Sequence, residues 1–198
     1  MGNFYTNVTL RGVSLGKLQL ILVELGCSAI ISPTTAGYTV VSERKCEEQD
    51  LDVLKALAVE LSKRAHCPAL AVLNHDDSQL TYNLCDDGNL VDAYCSCPSY
   101  FTGEGSDAPV GGDAARLLET FDVDGDAKEL ERVLRASGIA DDSEFALEID
   151  RHGQIAALLR MPAYVVGFGY DYVTAGDIPE GTAASELTTT GDAKVRPS

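Results

Sequence analysis

Asn74, His75, Asp76 and Asp77 form a polar quartet directly after an unbroken apolar run, residues 68–73. A histidine beside two carboxylates can act as a general acid or base, because neighbouring negative charge stabilises the imidazolium. The same side chains can also ligate a divalent cation. Asn and Asp are equally typical of turns, since both tolerate turn backbone conformations. A turn, a binding surface and a catalytic site are therefore the three alternatives for this quartet.

Three further side chains are candidates to join the quartet. Tyr82 and Tyr94 lie on the two strands predicted after it, and His152 lies on an apolar helical stripe. Burial tendencies favour packing of His152 between a helical region and the sheet. The predicted binding residues are Asn74, His75, Asp76, Asp77, Tyr82 and Tyr94. A catalytic site would need one pocket that joins the quartet to Tyr82, Tyr94 or His152.

The cysteines do not have the spacing of a metal site. Structural zinc takes its ligands from Cys or His pairs separated by two to four residues. Cys95 and Cys97 are separated by one residue, and Cys67 is remote from both in sequence. Buried thiols in a reducing cytosol are the expected state of these residues, and no metal is predicted.

Two other motifs favour local structure over ligand binding. Residues 122–126 resemble the start of a calcium loop, but such a loop needs glycine at its sixth position and glutamate at its twelfth. Those positions hold Ala127 and Val133, so Asp126 is predicted to cap a helix. Residues 167–169 contain two glycines without the spacing of a dinucleotide loop, and no cofactor is expected.

The elements that must position the quartet are predicted from hydrophobic periodicity. Residues 68–73 show no alternation, which is typical of a strand buried on both faces. A β-hairpin is predicted after it around Asp87-Gly88. The remaining predicted elements of this region are strand 4–11, helix 15–25 capped by Ser14, strands 28–32 and 38–42, and helix 51–65 capped by Asp50. This order predicts an α+β fold with a ferredoxin-like (split β-α-β) sheet extended by a β-hairpin.

The second half of the chain is predicted to be helical. Residues 98–112 are rich in Gly, Ser, Asp and Pro, which is typical of a loop. Helices are predicted at 114–121, 127–136 and 143–160, and the segment 162–175 fits either a helix or a strand. The predicted organisation is an α+β sheet domain (1–101), a linker (102–112), a C-terminal helical region packed on the sheet (113–181) and a disordered tail (182–198).

Net charge restricts the choice of partner. The chain has 31 acidic and 15 basic residues, a formal net charge of -16. Such a surface repels phosphate backbones and anionic headgroups, so neither nucleic acid nor a membrane is expected as a partner. The N-terminus lacks a basic segment followed by an apolar one, which predicts a cytoplasmic location.

Three segments carry a resemblance to other proteins. Residues 1–12 (MGNFYTNVTLRG), 69–77 (ALAVLNHDD) and 109–114 (PVGGDA) resemble those of an uncharacterised bacterial protein family. The resemblance spans roughly residues 1–180. The family has no assigned activity, so the resemblance implies a bacterial cytosolic origin. It also implies that polar residues are usual at positions 95 and 97, so the thiols of Cys95 and Cys97 are peculiar to this chain.

The leading hypothesis is a non-enzymatic cytosolic protein that binds another protein through an acidic face. Its sharpest form is an inhibitor or immunity-type protein against a basic partner. The motivation is the charge, together with the lack of a complete catalytic constellation. The alternative is a metal-assisted or general acid/base hydrolase centred on His75, Asp76 and Asp77. A third hypothesis is self-association through the helices to form a homo-oligomer.

Overall fold

The fold is α+β. The computed structural model describes residues 2–105, 107–136 and 147–196. In these residues one eight-stranded sheet has the order β7-β6-β5-β4-β1-β3-β2-β8, and neighbouring strands are antiparallel. The strands are β1 (Tyr5–Arg11), β2 (Ala29–Ile31), β3 (Tyr38–Glu43), β4 (Ala69–His75), β5 (Gln79–Asp86), β6 (Asn89–Cys95), β7 (Val110–Gly111) and β8 (Thr188–Thr189). The helices are α1 (Leu15–Glu24), α2 (Leu51–Ala65), α3 (Ala114–Thr120), α4 (Ala127–Arg135), α5 (Glu148–Leu158) and α6 (Tyr170–Ala175), with 3-10 turns at Arg44–Glu48, Ala163–Val165 and Ala184–Glu186.

The prediction of a central strand buried on both faces is confirmed. β4 lies between β1 and β5, and its side chains enter two separate cores. Leu70 and Val72 pack with the helices of the second half of the chain. Ala71 and Leu73 pack with α1 and α2 on the opposite face. The two helical layers therefore cover opposite faces of one sheet.

The predicted capping residues Ser14, Asp50 and Asp126 are also confirmed. Ser14 accepts a hydrogen bond from the backbone of the first turn of α1, and Asp50 accepts two from the first turn of α2. Asp113 and Asp126 cap α3 and α4 in the same way. These side chains satisfy backbone N–H groups that have no partner inside the helix.

β1 is buried on both faces, although polar and apolar residues alternate along it. Its polar side chains meet polar groups of the C-terminal region. The Asn7 amide donates to the carbonyl oxygens of Val165 and Phe168, at 2.9 and 3.2 Å. An alternating pattern of polar and apolar residues shows that one face of a strand is polar. It does not show whether that face contacts water or, as here, the backbone carbonyl groups of a second layer.

The ambiguous segment 162–175 is neither a strand nor one helix. It forms the 3-10 turn Ala163–Val165 and then α6, with Gly167 at a φ of +77° between them. Gly176 ends α6 in the left-handed conformation. The predicted helix 143–160 is described only from residue 147. There α5 begins at Glu148 without a side-chain cap, and the predicted start lies outside the described residues.

The prediction of a polar tail without a core to join is wrong for residues 182–196. β8 pairs with β2 at the sheet edge, and Thr190 and Ala193 are buried. Asp192 forms an ion pair with Arg44 at 2.7 Å. The segment has low hydrophobicity, so its sequence does not predict this packing. The two residues of β8 and the buried Ala193 are enough to attach it to the rest of the fold. The predicted domain boundaries stay predictions.

Candidate functional site

The predicted quartet lies at the turn that joins β4 to β5. Asp76 and Asp77 both have a φ of +52°, and the Ser78 backbone N–H donates to the His75 carbonyl oxygen at 3.0 Å. Two successive residues with positive φ are typical of the type I′ turns that join antiparallel strands. Asp is among the residues that adopt this conformation most readily. The turn alternative is therefore the local structure of the quartet.

Asp77 and Asn74 anchor the N-terminal segment to this turn. The Asp77 carboxylate is buried and accepts hydrogen bonds from the Asn74 amide at 2.7 Å, the Asn3 backbone at 2.9 Å and the Asn3 amide at 2.8 Å. A carboxylate with three donors has its acceptor sites largely used. Asp77 therefore acts within the structure as a fixed anchor for the chain start.

Three aromatic side chains, Phe4, Tyr100 and Phe101, contact the ring of the half-buried His75. We call these three residues and His75 the ring cluster. The His75 ring meets the other three edge-on, with centroid distances of 5.0 Å to Phe4, 5.7 Å to Tyr100 and 4.8 Å to Phe101. Phe4 is 41% exposed, Tyr100 36% and Phe101 65%. Four ring residues that share one exposed site form an apolar patch of the kind found at interaction sites.

Gln49 fixes the orientation and the tautomer of His75. The Gln49 Nε2 donates to the Asn74 carbonyl oxygen at 3.2 Å, so its Oε1 is turned towards the imidazole. That oxygen accepts a hydrogen bond from His75 Nδ1–H. The lone pair of the neutral ring is consequently on Nε2. Gln49 is thus a positioning residue for the centre of the ring cluster.

Tyr82 and Tyr94 lie elsewhere, on the face of the sheet opposite His75. Their rings stack with centroids 5.2 Å apart. The Tyr82 hydroxyl donates to the Asp92 carboxylate at 2.7 Å, and the Tyr94 hydroxyl donates to the Leu134 carbonyl oxygen at 3.0 Å. Burial raises the pKa of both hydroxyls. The six predicted binding residues therefore divide into a surface turn with His75 and a buried tyrosine pair.

His152 also lies on the face opposite His75, between α5 and the sheet as predicted. Tyr5 faces Asn74 across the β1–β4 pairing, and strand alternation directs His75, the next residue, to the other side. The Tyr5 hydroxyl is 2.7 Å from His152 Nδ1, and burial lowers the pKa of His152 to about 4. The two histidines do not share a pocket, and His152 is a neutral, hydrogen-bonded core residue.

A second feature adjoins the ring cluster on the same face of the sheet. We call it the side groove; it has a volume of about 340 Å³ and lies between the start of α2 and strands β5, β6 and β7. Its lining residues include Leu51, Thr81, Asn83, Ala93, Cys95 and Val110. Burial raises the pKa of the Cys95 thiol, which favours the unreactive protonated form. Cys95 is therefore a protonated, half-buried thiol in the lining of the groove.

Five carboxylates lie within a few residues of the ring cluster or of Gln49 in the chain. Glu48 and Asp50 flank Gln49, Asp76 follows His75, and Glu104 and Asp107 follow Phe101 closely in the chain. Within the described residues, none of these five carboxylates forms an ion pair. Other carboxylates do form ion pairs with basic side chains, as in Lys55–Asp52 in the lining of the side groove and, elsewhere, Arg64–Glu60, Arg116–Glu119, Arg132–Glu129 and Arg135–Glu131. These five carboxylates therefore contribute part of the excess negative charge of the chain.

Most of the ring cluster was missed by sequence reasoning. Phe4 lies in the predicted strand 4–11, and Tyr100 and Phe101 lie in the predicted loop 98–112. The adjacent aromatic pair in a stretch rich in Gly, Ser and Asp was the available signal, since such rings rarely have a core to enter there. The sequence gives no indication that Gln49 contacts His75, because the two residues come together only once β4 is paired in the sheet.

Other classes of site and relationship receive no support from the described part of the chain. Among its residues, no group of three or more His, Cys, Asp or Glu side chains is placed to hold a metal ion. No helix in the described ranges is long and apolar enough to cross a bilayer. Comparison with protein-family models, curated proteins and solved structures finds no match.

Proposed function

We propose that the protein binds a basic segment of another protein through the ring cluster. The observation that carries this proposal is the partly exposed set of three rings around His75, with carboxylates that form no ion pair among the described residues close to it in the chain, on a protein of net charge -16. An inhibitor or immunity-type protein directed against a basic partner is the form of this function that the charge favours.

The chemistry of the surface favours arginine or lysine in the partner. A guanidinium or ammonium group over an aromatic face contributes about 0.5 to 2 kcal/mol, depending on how far it is desolvated. Carboxylates beside the rings add attraction, and they accelerate encounter with a cationic partner at low ionic strength. A neutral apolar partner would gain only the free energy of burying apolar surface, so charge complementarity favours the basic partner.

We also infer the finer fold and the location. The unit from β1 to β4 has the connection order strand, helix, strand, strand, helix, strand, and its four strands adopt the order β4-β1-β3-β2. This supports a ferredoxin-like unit extended by the β5–β6 hairpin. A cytoplasmic location in a bacterium fits six free cysteines, because thiols persist in a reducing compartment.

Selection from a random peptide library on the immobilised protein tests the proposed function. We expect the recovered peptides to be enriched in Arg and Lys. Phe101→Ser should weaken a recovered peptide by roughly tenfold, because Phe101 is the most exposed ring of the cluster. Fluorescence polarisation with the synthetic peptide measures the change.

Leu20→Ser is the matched control, since Leu20 is 66% exposed and lies on α1, outside the ring cluster. This variant should bind the peptide like the wild type. Recovered peptides without a basic bias, or equal losses in Phe101→Ser and Leu20→Ser, would contradict the proposal.

A further inference from the structure

The side groove and the ring cluster lie in consecutive rows of the same sheet face. His75 pairs with Gln79, and two residues farther along β5 Thr81 pairs with Cys95. Two residues farther again, Asn83 pairs with Ala93. Because a strand rises about 3.4 Å per residue, the Ala93 row lies about 14 Å from the His75 row. The two features are therefore a short distance apart on one surface.

The same two segments border both features. Gln49 contacts His75, and Leu51, two residues later, lines the side groove and is 40% exposed. On the other side, the segment after β6 supplies Phe101 to the ring cluster and Val110 to the groove. A chain laid along this strip would contact both features without leaving the surface.

The wall of the groove formed by β7 is fixed by the backbone. Gly111 has a φ of +67°, and a Cβ at this position would lie 2.0 Å from the Ala93 carbonyl oxygen. The Arg135 guanidinium donates to the carbonyl oxygens of Gly111 and Gly112, at 2.5 and 2.6 Å. A groove with a fixed wall requires little reorganisation on binding, which preserves affinity.

The floor of the groove carries polar groups as well as apolar ones. Thr81 is 6% exposed, and its Oγ1 has no hydrogen-bond partner among the described residues. A buried polar atom without a partner is unfavourable, so a bound polar group that reaches it would be favoured. Asn83, half-buried in the same lining, offers an amide beside it. An extended peptide supplies both an apolar side chain and backbone polar groups.

We propose that the side groove receives an apolar side chain of the same basic segment, about four residues from the Arg or Lys held at the ring cluster. This inference rests on the proposed function and specifies its ligand. Four residues of extended chain span about 14 Å, which matches the separation of the two rows. The partner segment is therefore extended, with one basic and one apolar anchor on the same side.

Synthetic fluorescent peptides test this spacing. One has an arginine and a leucine about four residues apart in a Gly/Ser background, and its matched partner has serine in place of leucine. On the wild-type protein, we expect the leucine to strengthen binding by roughly tenfold. Ala93→Phe, which fills the groove from an exposed position, should remove that gain and leave the weaker arginine-dependent binding. Leu90→Phe, on β6 but outside the groove lining, should retain the gain.

Alkylation of Cys95 provides a second measurement on the unmodified protein. The bound leucine peptide should slow alkylation of Cys95, whereas the half-exposed Cys27, outside the groove, should react at its usual rate. If the leucine peptide binds Ala93→Phe as tightly as wild type and Cys95 is not protected, the groove inference is overturned. In that case weaker binding by Phe101→Ser would still uphold the proposed function. Absence of arginine-dependent binding would overturn both.

Discussion

At the scale of single residues, His152 gives the clearest expected dependence on pH. It is buried against Tyr5, and burial lowers its pKa from 6.5 to about 4 in the folded chain. Stability from a group with a lowered pKa is present above the unfolded value and is lost as pH falls through the folded value. From about pH 6.5 to about pH 4, His152 should therefore remove about 3 kcal/mol of unfolding free energy. Urea denaturation across this range measures the loss.

His152→Asn is the comparison that isolates this group. Asn retains an acceptor near the position of Nδ1 but does not titrate, so the stability advantage of wild type over the variant should shrink on acidification. Glu47 acts in the opposite sense, because burial raises its pKa from 4.5 to about 7 and its stabilising contribution is lost as pH rises. Glu47 is present in both proteins, so its contribution cancels in the difference between their unfolding free energies. A difference that stays constant with pH would show that His152 is not buried as a neutral ring.

Residue types predicted the positions of polar side chains better than they predicted the interactions of those side chains. The quartet was located at the end of a buried strand, yet the acceptor sites of Asp77 are used by Asn3 and Asn74. Asn74 is a local partner within the same turn, whereas Asn3 is distant in sequence and reaches Asp77 only through the pairing of β1 with β4. A local pattern contains no information on such contacts, and the same holds for the rings that approach His75.

At the scale of elements, the Asp126 cap can be separated from a calcium site. Asp126 accepts hydrogen bonds from the backbone N–H groups of Lys128 and Glu129, at 2.9 and 3.1 Å. Asp126→Ala should therefore lower the unfolding free energy by about 1 kcal/mol. The exposed Asp124 supplies the matched control, and Asp124→Ala should change it by less than about 0.5 kcal/mol. Thermal unfolding of both variants, with and without calcium, measures the effects.

Calcium should not raise the melting temperature of the wild-type protein. Positions that would complete a calcium loop hold Ala127, which begins α4, and Val133, which is buried in the core. A rise in melting temperature that is lost in both Asp124→Ala and Asp126→Ala would show that these residues form a calcium site.

Elements with strong local signals were predictable, and those defined by distant partners were not. Capping residues and a three-four apolar stripe identified α2, and an Asp-Gly pair identified the β5–β6 hairpin. β7 and β8 contain two residues each, and their strand character comes from the neighbour they pair with. The break between Ala163–Val165 and α6 likewise depends on the carbonyls that Asn7 binds.

At the scale of the whole molecule, the charge acts on folding and on binding in different ways. A net charge of -16 concentrates like charges when the chain is compact, and this self-repulsion opposes folding. The same charge attracts a basic partner and is the long-range part of the proposed recognition. Both effects are electrostatic between exposed groups, so mobile ions screen both.

Salt should therefore move stability and binding in opposite directions. Raising NaCl from about 20 mM to about 200 mM shortens the screening length to below about 10 Å, which weakens repulsion among the surface carboxylates. The urea midpoint should rise, while the affinity of the arginine peptide should fall severalfold. Both quantities can be measured in the same buffers, and Leu20→Ser should follow the wild type in each. A urea midpoint that falls with salt would mean that the surface ion pairs outweigh the excess acid. Peptide affinity that is independent of salt would mean that the rings bind without the carboxylates, which contradicts the basic-partner proposal.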